Sequence, residues 1–184
     1  MSVHVAFPAD GFTARWQTWD GEADEVLTLR WENEGWTASG EVGRERVQYV
    51  VRLSPLWHVR QFLLFRDMEQ PDLWLATDGH ARWGEMNGAH RPELDGCHDL
   101  QLDCTPFTDT LLIRRMPVEV GDQVELPVIA IDVETLAVHP VRRRYARVAP
   151  RTWRADDVAA GTSRTFDVDR YGLVLDDPGH FRRR

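Results

Sequence analysis

The sequence predicts a mainly β domain in which a long sheet curls into a roll or an open barrel around one short helix. Turn-forming dipeptides recur at short intervals, which is typical of an all-β domain and not of a helical or alternating α/β one. These turns include Asp20-Gly21, Glu34-Gly35, Asp78-Gly79, Asn87-Gly88, Asp95-Gly96, Gly121-Asp122, Tyr171-Gly172 and Pro178-Gly179. A sheet of so many strands with one convincing helix must curl, and it then encloses side chains, a helix or a ligand.

The strands are predicted from the apolar residues between these turns. Apolar and polar residues alternate over Leu27 to Trp31 and over Val47 to Leu53, so one face of each strand is expected to be buried. Adjacent apolar residues at 62–64 indicate a strand that is covered on both faces. Pro127 and Pro140 lie within strand-like runs, and proline inside a sheet favours an edge strand or a bulge.

The one predicted helix begins at Thr105. A threonine hydroxyl is a good N-cap, and Pro106 suits the first helical position because the N–H that proline lacks has no partner there. Asp109 then lies near the positive end of the helix dipole. Basic side chains favour the last turn, so the helix is expected to be short and to end near Arg114 or Arg115.

The composition is that of one globular domain over residues 1–184, with 42% hydrophobic and 28% charged residues. The net charge of −8 argues against nucleic-acid binding, because phosphate contacts require a basic surface. No stretch approaches the roughly 18 apolar residues of a membrane-spanning helix. The N-terminal residues lack the basic and apolar regions of a secretory leader, so a cytoplasmic protein is expected.

The polar residues of most interest lie between Leu94 and Met116, in the segment LDGCHDLQLDCTPFTDTLLIRRM. This segment places several aspartates and a pair of arginines within apolar, strand-like sequence. Because an unpaired ion costs several kcal/mol to bury, these groups are solvated, paired with one another or positioned for a ligand. The residue chemistry alone leaves all three alternatives open.

This segment is part of a set of motif residues that extends over nearly the whole chain. Within the segment, the motif residues are Leu94 to Cys97, Asp99, Thr105 to Thr108, Thr110, Leu111 and Ile113 to Arg115. The set continues at Arg15-Trp16, Asp78-Gly79, Trp83, Tyr145 and residues 167–182. The chain thereby resembles the bacterial family described as "putative glycolipid-binding", although it departs from the family pattern at Gln101, Asp109 and Leu112. The resemblance implies a spiral β-roll, a many-stranded antiparallel sheet wound around a single helix, and a glycolipid or lipid-like ligand.

We therefore predict a non-catalytic protein that binds a glycolipid or lipid-like small molecule and uses neither a cofactor nor a metal. Polar residues are expected to orient a head group, and apolar residues that line the roll are expected to hold the chain. The predicted site residues are Arg60, Trp83, Asp95, Asp99, Thr105, Thr108, Arg114 and Arg115.

Structural interpretations compete with this prediction. Trp83 is the tryptophan most favoured for ligand stacking, yet core packing is the commoner use of any tryptophan in a roll. Asp99 with Arg114 or Arg115 also suits a partly buried, bidentate ion pair that holds the helix against the sheet. The protein is then a closed structural or interaction domain that forms a homodimer through exposed edge strands.

A hydrolase that acts on sugars or lipids is the third interpretation. It requires carboxylates or a histidine that converge in one open pocket. Asp95 and Asp99 are four residues apart, which on a regular strand places them roughly 13 Å apart on one face. That separation is too large for a pair of catalytic carboxyl groups, unless the chain bends at Gly96.

Overall fold

The computed structural model describes residues 4–43, 47–67 and 69–184, which form two sheets with one α-helix, α1 (Phe107–Arg115), between them. A short 3₁₀ turn at Pro92–Leu94 precedes the helix. This architecture confirms the mainly β fold and the roll around a single helix. The strands form two sheets, however, where the sequence analysis described one.

The larger sheet is antiparallel and has nine strands. In spatial order these are β13 (Asp176–Asp177), β14 (Phe181–Arg183), β1 (Phe12–Thr18), β2 (Asp24–Glu32), β3 (Gly35–Val42), β4 (Val47–Leu53), β5 (Val59–Arg66), β6 (Leu73–Thr77) and β7 (Trp83–Glu85). Because β14 pairs with β1, strands from the two ends of the chain lie side by side. The predicted alternation in β4 is confirmed, since Val47, Tyr49, Val51 and Leu53 are all buried.

The smaller sheet has five strands. In spatial order these are β12 (Thr162–Asp167), β11 (Thr152–Asp157), β10 (Val138–Ala149), β9 (Gln123–Ile131) and β8 (Leu100–Leu102). The β8–β9 pair is parallel, which the prediction of an antiparallel sheet did not include. The physical reason is the connection between these strands, because α1 forms the crossover that parallel neighbours require.

Pro127 and Pro140 occupy parts of β9 and β10 that pair with one neighbouring strand. β8 covers β9 at residues 129–131, and β11 covers β10 at residues 143–149. Each proline thus lies at a position where its missing N–H interrupts no hydrogen bonds to a second neighbouring strand. β9 and β10 are interior strands, so the predicted edge strands are not found, but each proline lies in a segment that has a strand on one side only.

The helix fills the space between the sheets and buries seven of its nine residues. Phe107 and Leu111 pack into the core of the larger sheet, whereas Leu112 and Ile113 pack against the smaller one. The helix begins at Phe107, two residues after the predicted start, with Pro106 at the N-cap. The Thr105 hydroxyl nevertheless accepts the Phe107 N–H at 3.0 Å. The apolar residues predicted to hold a lipid chain are covered by α1, so that part of the prediction is wrong.

Gly40 of β3 lies directly opposite Tyr49 of β4. A Cβ atom at residue 40 would collide with the Tyr49 ring, which is fully buried and held by a hydrogen bond from its hydroxyl to Glu25. We expect Gly40→Ala to lower the free energy of unfolding by about 1–3 kcal/mol, as overpacked cores do. Urea denaturation measures the change. Gly43→Ala is the matched control, because a Cβ at that exposed residue makes an ordinary contact at 3.6 Å. Equal decreases in the free energy of unfolding for the two variants would contradict the packing argument.

The described residues contain no helix that is long and apolar enough to cross a lipid bilayer.

Candidate functional site

A cleft of about 430 Å³ opens beside the C-terminal end of α1. We name it the arginine–tryptophan cleft after five of its lining residues, Arg114, Arg147, Trp36, Trp57 and Trp153. The other lining residues are His4, Ala6, Phe7, Pro55, Leu56, His58, Ile113, Arg115, Met116, Pro117 and Val118. Its volume lies in the range of about 300–1,000 Å³ that small-molecule sites occupy.

Arg114 projects from the last turn of α1 into this cleft. Its guanidinium lies 4.5 Å from the Trp57 ring centre and 4.7 Å from that of Phe7, a cation–π arrangement. One terminal nitrogen donates to the carbonyl oxygens of Val5 and Tyr171. The Nε atom is buried without a hydrogen-bond partner. Burial lowers the pKa of Arg114 to about 10, so the group stays charged near neutral pH.

Arg147 of β10 is the second cation of the cleft, and 3% of its surface is exposed. Its terminal nitrogens donate to the carbonyl oxygens of Val118 at 3.2 Å and Pro150 at 2.6 Å. Its Nε is also buried without a partner. Among the described residues, no carboxylate forms an ion pair with Arg114 or Arg147. Arg114 and Arg147 thus have no direct carboxylate partner among these residues, and the charge of Asp169 acts on Arg114 without an ion pair.

The pKa of His4 reflects the burial and the positive charges of the cleft. Burial, followed by the charges of Arg114 and Arg147, lowers its pKa to about 4. The ring is thus neutral near pH 7, and since Arg115 is paired with Asp99, Arg114 and Arg147 are the arginines of the cleft without an ion-pair partner among the described residues. The cleft is suited to an anionic group, because guanidinium groups only donate hydrogen bonds and bind carboxylate or phosphate in a planar geometry.

Trp57 enters the cleft from the loop between β4 and β5. Its backbone has φ of +68°, a left-handed conformation that costs about 1–3 kcal/mol for a residue other than glycine. The loop is held in place because the Ser54 hydroxyl accepts the N–H groups of Leu56 and His58, and the Trp57 N–H donates to the Ser54 carbonyl. Strain of this kind concentrates at functional sites, where the surrounding structure holds it.

Asp99 and Arg115 form a bidentate ion pair beside the cleft. Arg115 Nη2 lies 2.5 Å from Asp99 Oδ2, and Nε lies 3.2 Å from Oδ1. The Asp99 side chain is 2% exposed and that of Arg115 is 9% exposed. Because Asp99 precedes β8 and Arg115 ends α1, the pair joins the helix to the smaller sheet, as the structural interpretation of these residues predicted.

Five of the eight predicted site residues lie away from the cleft, so the eight do not form one site; three of these five lie in neither this cleft nor the cavity at the other end of α1. Arg60 is exposed on β5. Trp83 is 1% exposed, and its indole N–H donates to the Cys97 carbonyl at 2.9 Å, which places it in the core. Asp95 lies at the surface, where it pairs with His90 at 2.8 Å. Asp95 and Asp99 thus have separate partners and do not converge in one pocket.

Thr105 and Thr108 lie at the opposite end of α1 from the arginine–tryptophan cleft and line a different cavity. The Thr105 hydroxyl donates to Glu25 Oε1 at 2.7 Å, and the Thr108 hydroxyl accepts the Leu102 N–H at 3.4 Å. Of the predicted residues, the structure therefore brings Arg114 and Arg115 to the cleft, with Asp99 behind them.

Arg147, Trp57 and Trp153 were not among the predicted site residues. A signal existed for Arg147, because it lies two residues after Tyr145 and so shares the buried face of β10. Trp153 is its partner on β11 in the strand register. No local pattern marks Trp57, because its position depends on how the β4–β5 loop packs against the end of α1.

The comparisons with known proteins agree with the architecture. The model of the family described as "Putative glycolipid-binding" matches residues 13–183. The crystal structure of a DUF1089 family protein from Pseudomonas aeruginosa at 1.80 Å resolution is similar in fold, with a TM-score of 0.72 and 23% sequence identity over 98% of this chain and 95% of that one. No curated protein matches the chain. Because the family model covers nearly all of the sequence, the chain belongs to the family that this description names.

Proposed function

We propose that the protein binds an anionic glycolipid or lipid-like molecule in the arginine–tryptophan cleft, without catalysing a reaction. The observation that carries the proposal is the pair of arginines set among tryptophan rings, with Arg147 buried and Arg114 half-buried, for which the described residues supply no carboxylate in an ion pair. The family to which the chain belongs is named for the same class of ligand. The roll-lining residues have no place in this proposal, because α1 covers them.

The head group is recognised by Arg114 and Arg147. Each guanidinium keeps one buried Nε–H without an acceptor, and a buried donor in that state costs about 1–3 kcal/mol. A phosphate or carboxylate that reaches these donors removes the cost and neutralises the two charges.

The apolar part of the ligand lies against the aromatic walls. Trp57, Trp36 and Phe7 form one connected group of rings, with centres 5.6 Å apart for Phe7–Trp57 and 6.4 Å apart for Trp36–Trp57. Leu56, 73% exposed, extends this apolar surface at the rim of the cleft. Trp57 and Phe7 are buried beneath the Arg114 guanidinium, so half-buried Trp36 and exposed Leu56 supply the accessible apolar area for the ligand.

Replacing Arg114 by glutamine tests the proposal. We expect the dissociation constant of a short-chain phosphatidylglycerol, kept below its micelle concentration, to rise about tenfold or more, because one charge-assisted hydrogen bond contributes about 1.5–3 kcal/mol. Quenching of tryptophan fluorescence measures binding. Arg114→Lys keeps the charge without the planar fork, so an intermediate loss is expected.

Arg60→Gln is the matched control, since it removes the same charge from an exposed position on β5. It is expected to leave the dissociation constant unchanged. Equal losses in Arg60→Gln and Arg114→Gln, or equal binding of neutral octyl glucoside and the anionic lipid, would show that the cleft does not select an anion.

Native mass spectrometry of protein purified from its own cells addresses the competing interpretation. We expect a bound lipid-like mass on the protein. A homodimer peak with no bound small molecule would favour the closed interaction domain that pairs through edge strands.

A further inference from the structure

A second cavity, of about 410 Å³, lies at the N-terminal end of α1. The first residues of the helix, strands β10 to β12 and the C-terminal hairpin β13–β14 surround it. It shares no lining residue with the arginine–tryptophan cleft, and a helix of nine residues separates the two by about 13 Å.

The charge of this cavity is opposite to that of the cleft. Five aspartates line it, Asp103, Asp109, Asp156, Asp157 and Asp177, against two arginines, Arg143 and Arg164. We name it the aspartate cavity after these five residues. Arg143 is occupied within the protein, since it lies 2.7 Å from Asp157 and donates to Gln101 at 2.6 Å.

Arg164 is shared between two buried carboxylates. It donates to both oxygens of Asp109 and to Asp177 Oδ2, each at 2.6 Å. The side chains of Asp109 and Asp177 are 5% and 2% exposed. The Tyr145 hydroxyl completes the set by donating to Asp109 at 2.6 Å. Two carboxylates thus face one guanidinium, so one negative charge is in excess when both carboxylates are ionised.

One carboxylate oxygen of Asp177 accepts no hydrogen bond. Its Oδ1 atom is buried and has no hydrogen-bond partner. The His180 ring covers this side, with Nδ1 3.5 Å from Oδ1, and that side chain is 55% exposed at the mouth of the cavity. Burial raises the pKa of Asp177, as expected of a carboxylate that lacks a full set of donors.

We infer that the aspartate cavity binds an organic ammonium group, which takes the place of the His180 ring and donates to Asp177 Oδ1. A carboxylate only accepts hydrogen bonds, so the ligand must donate. The excess negative charge selects a cationic donor over a neutral one, because a buried charge is stabilised by an opposite charge. Tyr145 and Phe181 line the same space.

Calorimetric titrations of the full chain with glucosamine, glucose and ethanolamine distinguish recognition of an ammonium group from recognition of sugar hydroxyls. We expect glucosamine and ethanolamine to bind, and glucose to bind about tenfold more weakly than glucosamine, because the amine supplies a charge-assisted hydrogen bond. Equal binding of glucose and glucosamine would overturn the inference in favour of a neutral sugar. Absence of binding by both amines would overturn it altogether.

Asp177→Asn tests the residue, with Asp176→Asn as a control that makes the same charge change at the exposed neighbouring position on β13. Amine binding is expected to weaken about tenfold in Asp177→Asn and to be unchanged in Asp176→Asn. A second variant, His180→Ala, leaves the hydrogen bonds of Arg164 in place and removes the competing ring, so it is expected to tighten amine binding several-fold.

Equal effects of the two asparagine variants, or weaker amine binding in His180→Ala, would contradict the assignment of the amine site to Asp177. Neither outcome bears on lipid binding, because the arginine–tryptophan cleft contains none of these residues.

Discussion

Replacing Asp99 by leucine is expected to lower the free energy of unfolding by about 3–5 kcal/mol, the usual cost of leaving one partner of a buried ion pair alone. Both oxygens of Asp99 are bound by Arg115, whose side chain is 9% exposed. Without the carboxylate, the guanidinium is buried with no counter-charge, and the end of α1 loses its link to the smaller sheet. Urea denaturation with tryptophan fluorescence measures the change.

The double variant Asp99→Leu with Arg115→Met decides whether the cost arises from the orphaned charge. Replacing both members of a buried ion pair by apolar groups is often close to neutral, so most of the loss is expected to be recovered. Glu93→Ala removes the exposed partner of the surface pair with Arg91 and is expected to leave stability unchanged. If the double variant is as unstable as Asp99→Leu alone, packing rather than charge is the origin of the loss.

Replacing Glu25 by glutamine is expected to abolish a dependence of stability on pH. Glu25 Oε1 accepts hydrogen bonds from the hydroxyls of Tyr49 at 2.5 Å and Thr105 at 2.7 Å, whereas Oε2 is buried without a partner. Burial raises the pKa of this carboxyl to about 7, from 4.5 in its unperturbed state. The folded protein therefore binds the Glu25 proton more tightly than the unfolded chain does.

The sign of the pH effect follows from this difference. The contribution of the protonated carboxyl is fully present below pH 4.5 and is lost as the pH rises to about 7 and beyond, because the ionised group is then buried. The loss is about 3 kcal/mol over this window. Glutamine has the same shape and remains neutral, so Glu25→Gln is expected to be more stable than the natural chain above pH 7 and similar to it below pH 4.5.

Urea denaturation of both proteins on either side of this window measures the effect as the difference between two curves. The other titrating groups cancel in that difference. A constant difference at all pH values would show that Glu25 does not ionise within the window.

Much of the fold was predictable because local patterns reveal it. The alternation in β4 marks the buried face, and both prolines mark segments of β9 and β10 with a single neighbour. Thr105 and Pro106 predict the start of α1, since the chemistry of a helix N-terminus is local. The parallel β8–β9 pair was not predicted, because the direction of a strand depends on the path of the crossover and not on the strand's own residues.

The candidate site was predictable in part. An ion pair of Asp99 with Arg114 or Arg115 was predicted, because a charged residue in an apolar segment requires a partner that the same segment supplies, and the structure selects Arg115. Arg60, Trp83 and Asp95 were grouped with them without a spatial reason, and the structure separates all three from the cleft.

The sequence by itself determined the class of fold, the position of the helix and the presence of charges that require partners. These features depend on the period of apolar residues and on capping, which act over a few residues. Only the tertiary structure decided that Trp57, Arg114 and Arg147 meet at one end of α1 while Asp109, Arg164 and Asp177 meet at the other. The physical reason is that packing of the two sheets against the helix joins residues far apart in sequence, and no local pattern encodes that packing.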